Sequence, residues 1–187
     1  MRDALRIAVF TVVEVVALVV WLALVRTEAG AAQALVGSIV IGVAILAVGI
    51  TVEHLLSYNV INRRPLFKLA GLPVGRKFVV SIIETAIWAI WLVLTDLNPL
   101  AAALVLAVLL VFEHTFSDNV FRDKGTFARL INLRTVGFSI IEAAGAALWL
   151  GFVDSGLPIA GITVLAVASY AEHAMAVGLG RERTASV

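Results

Sequence analysis

Glutamate and histidine recur in this chain in a pattern that suits metal ligation. Three adjacent pairs, Glu53 with His54, Glu113 with His114 and Glu172 with His173, contain all three histidines of the sequence. Three further glutamates, Glu14, Glu84 and Glu142, each stand eight residues after an arginine (Arg6, Arg76, Arg134) and seven before a tryptophan (Trp21, Trp91, Trp149). A hydroxyl residue, Thr11, Ser81 or Ser139, precedes each of these glutamates by three. Six carboxylates and three imidazoles form an oxygen and nitrogen donor set that suits iron, manganese or zinc and argues against copper(I). The chain has no cysteine, which removes disulfides, iron–sulfur clusters and thiolate metal sites. Haem held by two of the histidines is a poorer reading, because each histidine comes with a glutamate.

The elements that must position these residues are apolar helices. Of 187 residues, 61% are hydrophobic and 14% charged, and the mean hydropathy is +1.05, far more apolar than a soluble domain of this size tolerates. A bilayer core of roughly 30 Å takes about 20 residues per helical crossing, which leaves room for six crossings. The hydropathy places them at 5–25, 32–56, 78–94, 99–116, 136–153 and 158–177. An open sheet would leave backbone groups unsatisfied in hydrocarbon, and the segments lack the alternation of a membrane barrel. The first apolar run is long and continues into Arg26, Thr27 and Glu28 without a small-residue cleavage pattern, so it reads as a retained span.

The predicted fold is therefore an all-α integral membrane protein, a single domain over 1–187. Its six transmembrane helices are one helical hairpin written three times, at 1–66, 74–125 and 132–183. Each hairpin begins and ends on the same side, which predicts a pseudo-threefold axis along the membrane normal. The first hairpin is longer, through an insertion at 27–33. Arg2 and Arg6, then Arg63, Arg64, Lys68, Arg76 and Lys77, then Arg122, Lys124, Arg129 and Arg134, and finally Arg181 and Arg183 all fall on one side. Arg26 alone falls on the other, and the turns at Asp96 and Asp154 carry acid without base. The positive-inside rule then puts both termini in the cytoplasm of an inner or plasma membrane. With a formal net charge of +1, these loops read as topology signals and not as nucleic-acid contacts.

Eight helical residues rise about 12 Å, so Glu14, Glu84 and Glu142 share one depth in the slab. The three Glu–His pairs lie at about the same depth, counted back from the arginines that follow them. Six of the eight glutamates thus share a layer with every histidine. Lys77 is assigned to the connecting loop, so no lysine or arginine is expected at that level. An unpaired carboxylate in a membrane costs at least ~2.5–3.5 kcal/mol, and six need neutralising. Either they are protonated and bonded to one another and to the histidines, or they bind divalent metal. Six carboxylates and three neutral imidazoles balance three divalent ions. Adjacent residues point about 100° apart on a helix, so Glu and His of one pair reach neighbouring positions around a ring, which predicts a centre of up to three metals with bridging glutamates.

The remaining features refine this. Trp21, Trp91 and Trp149 read as interfacial anchors or packing residues, and Trp88 as core. Thr11, Ser81 and Ser139 are candidates to orient the metal ligands by hydrogen bonding. Gly37, Gly42 and Gly145 suit close helix packing. Ser57, Asn59, Ser117, Asp118 and Asn119 offer a polar approach from the cytoplasmic side, whereas the outer halves of the helices look sealed. The chain so read meets the lipid bilayer and a small or lipid-soluble substrate, with no nucleic acid. It is a metalloenzyme of redox or small-molecule-activating type, such as an oxidoreductase. The alternative is a transporter or channel for divalent cations or protons built on the same layer.

Overall fold

The computed structural model describes residues 2–26 and 32–184, with side chains over 3–26 and 39–179. The insertion expected at 27–33, Glu28, the packing role of Gly37 and the side chains of Arg2, Arg181 and Arg183 lie outside the described residues or their side chains. All regular structure among the described residues is helical. The helices are α1 (Arg2–Val25), α2 (Ala32–Ile61), α3 (Val74–Thr95), α4 (Pro99–Phe121), α5 (Val136–Asp154) and α6 (Pro158–Thr184), with a 3₁₀ turn at Leu133–Thr135 before α5. Each of the six is long and apolar enough to cross a membrane.

Several helices run a turn or more past the predicted spans, and always at the same end of the bundle. Helices α2 and α4 continue to Ile61 and Phe121, and α3 starts at Val74. The extra turns carry Ser57, Asn59, Ser117, Asp118 and Asn119, polar residues that end the apolar run but not the helix. These helices stop at matching caps. Arg63 and Asp123 take left-handed backbone (φ 53° and 54°), and the next amides, of Arg64 and Lys124, bond back to the carbonyls of Asn59 and Asn119 at 2.8 and 3.0 Å. At the other end the connections are tight. Asn98 caps α4 by accepting from the Ala101 amide at 3.0 Å, with Pro99 as the first helical residue. Gly156 supplies the positive φ of 76° that turns the chain from α5 to α6.

Each helix packs on its chain neighbours, and α6 closes the ring against α1. Helices α1 with α2 and α5 with α6 approach closely. A Cβ on Gly49 would lie 2.3 Å from that of Ala17, and one on Gly145 would lie 2.2 Å from that of Ala168. Gly145 thus has the packing role expected of it. Gly42 meets only contacts of 3.4 Å or more, and Gly49 takes the close approach between α1 and α2. At the end bearing the tight turns, Leu18, Trp21, Leu46, Trp88, Trp91, Leu106, Leu110, Trp149 and Leu165 fill the interior without gaps to solvent. Arg26, just past the end of α1, pairs there with Asp154 of α5 at 2.5 Å. The outward faces are apolar instead: Val16, Ile41, Val48, Val93, Leu104, Val108 and Val167 are all exposed.

Candidate metal centre

The odd helices α1, α3 and α5 contribute Glu14, Glu84 and Glu142, and the even helices α2, α4 and α6 contribute the three Glu–His pairs. All nine side chains line one cavity. Eight of the residues are buried, and the His114 side chain is only 12% exposed. Burial of this many ionisable groups in an apolar bundle requires compensation from within the cluster.

The imidazoles are held in one orientation by the same contact made three times. Nδ1 of His173 lies 2.8 Å from Thr11 Oγ1, Nδ1 of His54 lies 3.0 Å from Ser81 Oγ, and Nδ1 of His114 lies 2.7 Å from Ser139 Oγ. Each hydroxyl also donates its single proton to the carbonyl four residues back, on Ile7, Lys77 and Thr135 respectively, at 2.9–3.0 Å. The hydroxyl oxygen can therefore only accept from the ring, so Nδ1 carries the proton. In a neutral imidazole Nε2 is then a bare lone pair. Phe10 and Phe138 pack edge-on against His173 and His114, with ring centroids 4.6 and 4.8 Å apart, and hold those planes.

Every Nε2 faces three carboxylate oxygens. Around His54 these belong to Glu84 (3.2 Å), Glu113 (3.5 Å) and Glu53 (3.6 Å). Around His114 they belong to Glu142 (3.1 Å), Glu113 (3.5 Å) and Glu172 (3.5 Å). Around His173 they belong to Glu172 (3.2 Å), Glu53 (3.5 Å) and Glu14 (3.6 Å). The oxygens divide by helix parity. Glu53, Glu113 and Glu172 each turn one oxygen to one histidine and the other oxygen to the next, whereas Glu14, Glu84 and Glu142 each serve one histidine. The triads His54, Glu84, Glu113 and Glu14, Glu84, Glu142 each bring donor atoms within 4.8 Å of one another and could hold a metal ion. Glu14 Oε2, Glu113 Oε1 and Glu142 Oε2 are buried acceptors with no hydrogen-bond donor, and each is an oxygen turned to an Nε2. Glu84 uses its other oxygen, Oε1, to accept from Trp88 Nε1 at 3.2 Å.

Two sequence expectations change and one open alternative closes. Lys77 is not a loop residue: it lies in α3 with its side chain fully buried, Nζ 2.9 Å from Ser117 Oγ and 3.5 Å from the centre of the Phe121 ring. A cation therefore does stand beside the layer, one helical turn from Glu113. Its burial has a sequence signal, because the aligned positions are Ile7 and Thr135, both buried. Trp21, Trp91 and Trp149 are packing residues and not interfacial anchors, each at most 1% exposed, and Trp88 is core as expected. Asn59 and Asn119 do not line the approach. Their amides donate to the carbonyls of Leu66 and Lys68, and of Thr126 and Arg129, and tie down the two long connections. Ser57, Ser117 and Asp118 do line the cavity, joined by Arg134, read from sequence as a topology signal, and by Asn132 and Thr135, which the sequence did not single out.

No protein-family model, curated protein or solved structure matches this chain, so the site stands on its own geometry.

Proposed function

We propose that this chain is a multi-pass membrane metalloprotein whose three helical hairpins share a cyclic trinuclear centre, and that it activates a small molecule there. The membrane reading is supported by six apolar helices arranged polar side inward, with exposed Val, Ile and Leu where lipid would lie. Charge asymmetry supports a cytoplasmic side for the long connections and both termini.

One observation carries the metal reading: a single ring nitrogen facing three carboxylate oxygens at 3.1–3.6 Å, three times over. One N–H cannot donate well to three acceptors, and most of these separations are long for a hydrogen bond. Donor atoms around a tetrahedral cation with bonds of about 2.0–2.1 Å stand roughly 3.3 Å apart. His54, Glu84, Glu53 and Glu113 would hold a first ion, His114, Glu142, Glu113 and Glu172 a second, and His173, Glu14, Glu53 and Glu172 a third. Glu53, Glu113 and Glu172, whose two oxygens face different histidines, would then be shared between ions, and Glu14, Glu84 and Glu142 would serve one each. Six carboxylates then balance three divalent ions. Iron, manganese or zinc fits such donors. A metal so held would act as a Lewis acid or redox centre towards a bound small molecule.

The closed, tryptophan-packed core beneath the layer supports a one-sided site over a transport path. The test is metal content of detergent-purified variants. Glu142→Gln, a terminal change, should lower occupancy by about one ion, and Glu113→Gln, a bridge, by about two. Equal, undiminished metal in both variants would reject the ligand assignment, and metal-dependent cation flux through proteoliposomes would favour transport.

A further inference from the structure

The cavity above the metal layer is not equivalent around its circumference. One turn beyond the three bridging glutamates, towards the long connections, stand Ser57, Ser117 and Ala176, all lining the cavity. Ala176 offers nothing polar. Ser57 donates its proton to the His54 carbonyl at 3.1 Å. Ser117 differs: its oxygen accepts from the Lys77 ammonium at 2.9 Å, and its own proton meets no acceptor among the described residues. An ammonium bonded to a hydroxyl oxygen polarises the O–H, so this proton is the strongest neutral donor facing the cavity.

Lys77 itself is completely buried: its Nζ bonds Ser117 and sits over the Phe121 ring, it forms no ion pair among the described residues, and the charges of Glu53, Glu113, Glu84 and Asp118 act on it from farther away. Asp118, which also lines the cavity from α4, is engaged by Arg122 at 3.0 Å and by the Asn132 amide at 3.2 Å. With three divalent ions the six glutamates would be neutralised, which leaves Asp118, shared with Arg122, as the acid acting on Lys77, while Arg134 adds a further positive charge to the cavity lining. A buried charge calls for a counter-charge nearby. The cavity, which the nine side chains of the layer also line, holds about 80 Å³, so a ligand beside the ions has to be small, a few waters or about three heavy atoms.

We infer that Ser117, with Lys77 behind it, forms a binding site for a small monoanion between the metal layer and the cavity mouth. This rests on the metal reading above. The ligand class is hydroxide at rest and, as substrate or inhibitor, a small anion of up to three heavy atoms such as nitrite, formate or azide. Lys77 is a positioning residue, acting through the serine hydroxyl and through its charge. Arg134 lines the same cavity and is exposed, which draws anions to the opening.

The experiment is calorimetric titration of sodium azide into the metal-loaded, detergent-solubilised protein, with metal content measured on each sample. The wild type should bind one azide per chain. Lys77→Met and Ser117→Ala should each weaken azide at least tenfold with metal content unchanged, and Lys77→Arg should bind within a few fold of wild type. Should Lys77→Met fail to fold, Ser117→Ala and Lys77→Arg carry the comparison. Azide affinity equal to wild type in Ser117→Ala, or no azide binding by fully metallated wild type, overturns the anion site and leaves the metal centre standing. A wild type that takes up no metal overturns both.

Discussion

A hydroxyl that must give its proton to its own helix has only lone pairs left for a histidine, and that constraint sets the chemistry of each imidazole here. In an apolar helix Thr11, Ser81 and Ser139 have no water to donate to, so the carbonyl four residues back takes the proton. The ring then has to present Nδ1–H outward and Nε2 inward, among the carboxylates. Ser139→Ala removes the acceptor from His114 and leaves a buried N–H without a partner. Metal affinity should fall about 10–100-fold while the saturating stoichiometry is kept, as read by competition with a chelator. Unchanged affinity would mean that the ring is held by packing alone. The nine residues of the layer are legible in the sequence because ionisable groups in apolar spans stand out and because their spacing recurs. Lys77 is less legible: beside Arg76 it reads as a loop base, and only Ser117 and Phe121 from α4 show why it is enclosed. The division between carboxylates whose two oxygens face two histidines and carboxylates that serve one depends on side-chain torsions that spacing does not specify.

Helix lengths were set by what apolarity could not report. The apolar runs of α2 and α4 end where Ser57 and Ser117 begin, although the helices persist to Ile61 and Phe121 because neighbouring helices and connections satisfy the polar side chains. Asn59 and Asn119 each hold two carbonyls of the following connection, a tertiary role with no signature in composition. Interhelical spacing is similarly a matter of single atoms. Within α5, Gly145 and Gly151 make an internal comparison, since a Cβ on the first would lie 2.2 Å from Ala168 and a Cβ on the second would meet nothing within 4 Å. Gly145→Ala should destabilise the protein by about 1–3 kcal/mol by forcing α5 and α6 apart. Gly151→Ala should be neutral or stabilising by up to ~1 kcal/mol through helix propensity. Unfolding in mixed detergent distinguishes them, and equal effects would remove the close approach as a determinant of packing.

For the whole molecule, the arrangement is a ring of six apolar helices with a polar layer at one depth, a packed floor of four tryptophans on one side and a polar cavity on the other. The six-helix, all-α character was legible in hydropathy alone, because length and apolarity leave no other way to satisfy the backbone in lipid. The one-sided cavity was legible only in part, through Ser57, Ser117 and Asp118. If cations hold the layer together, metal stoichiometry is the quantity that reads it out. Stripped of metal and titrated with manganese(II) or zinc(II) in detergent, the protein should reach an end point at three equivalents per chain and release protons as it does so. An end point at one equivalent, or no uptake while the helical circular dichroism stays intact, would contradict it.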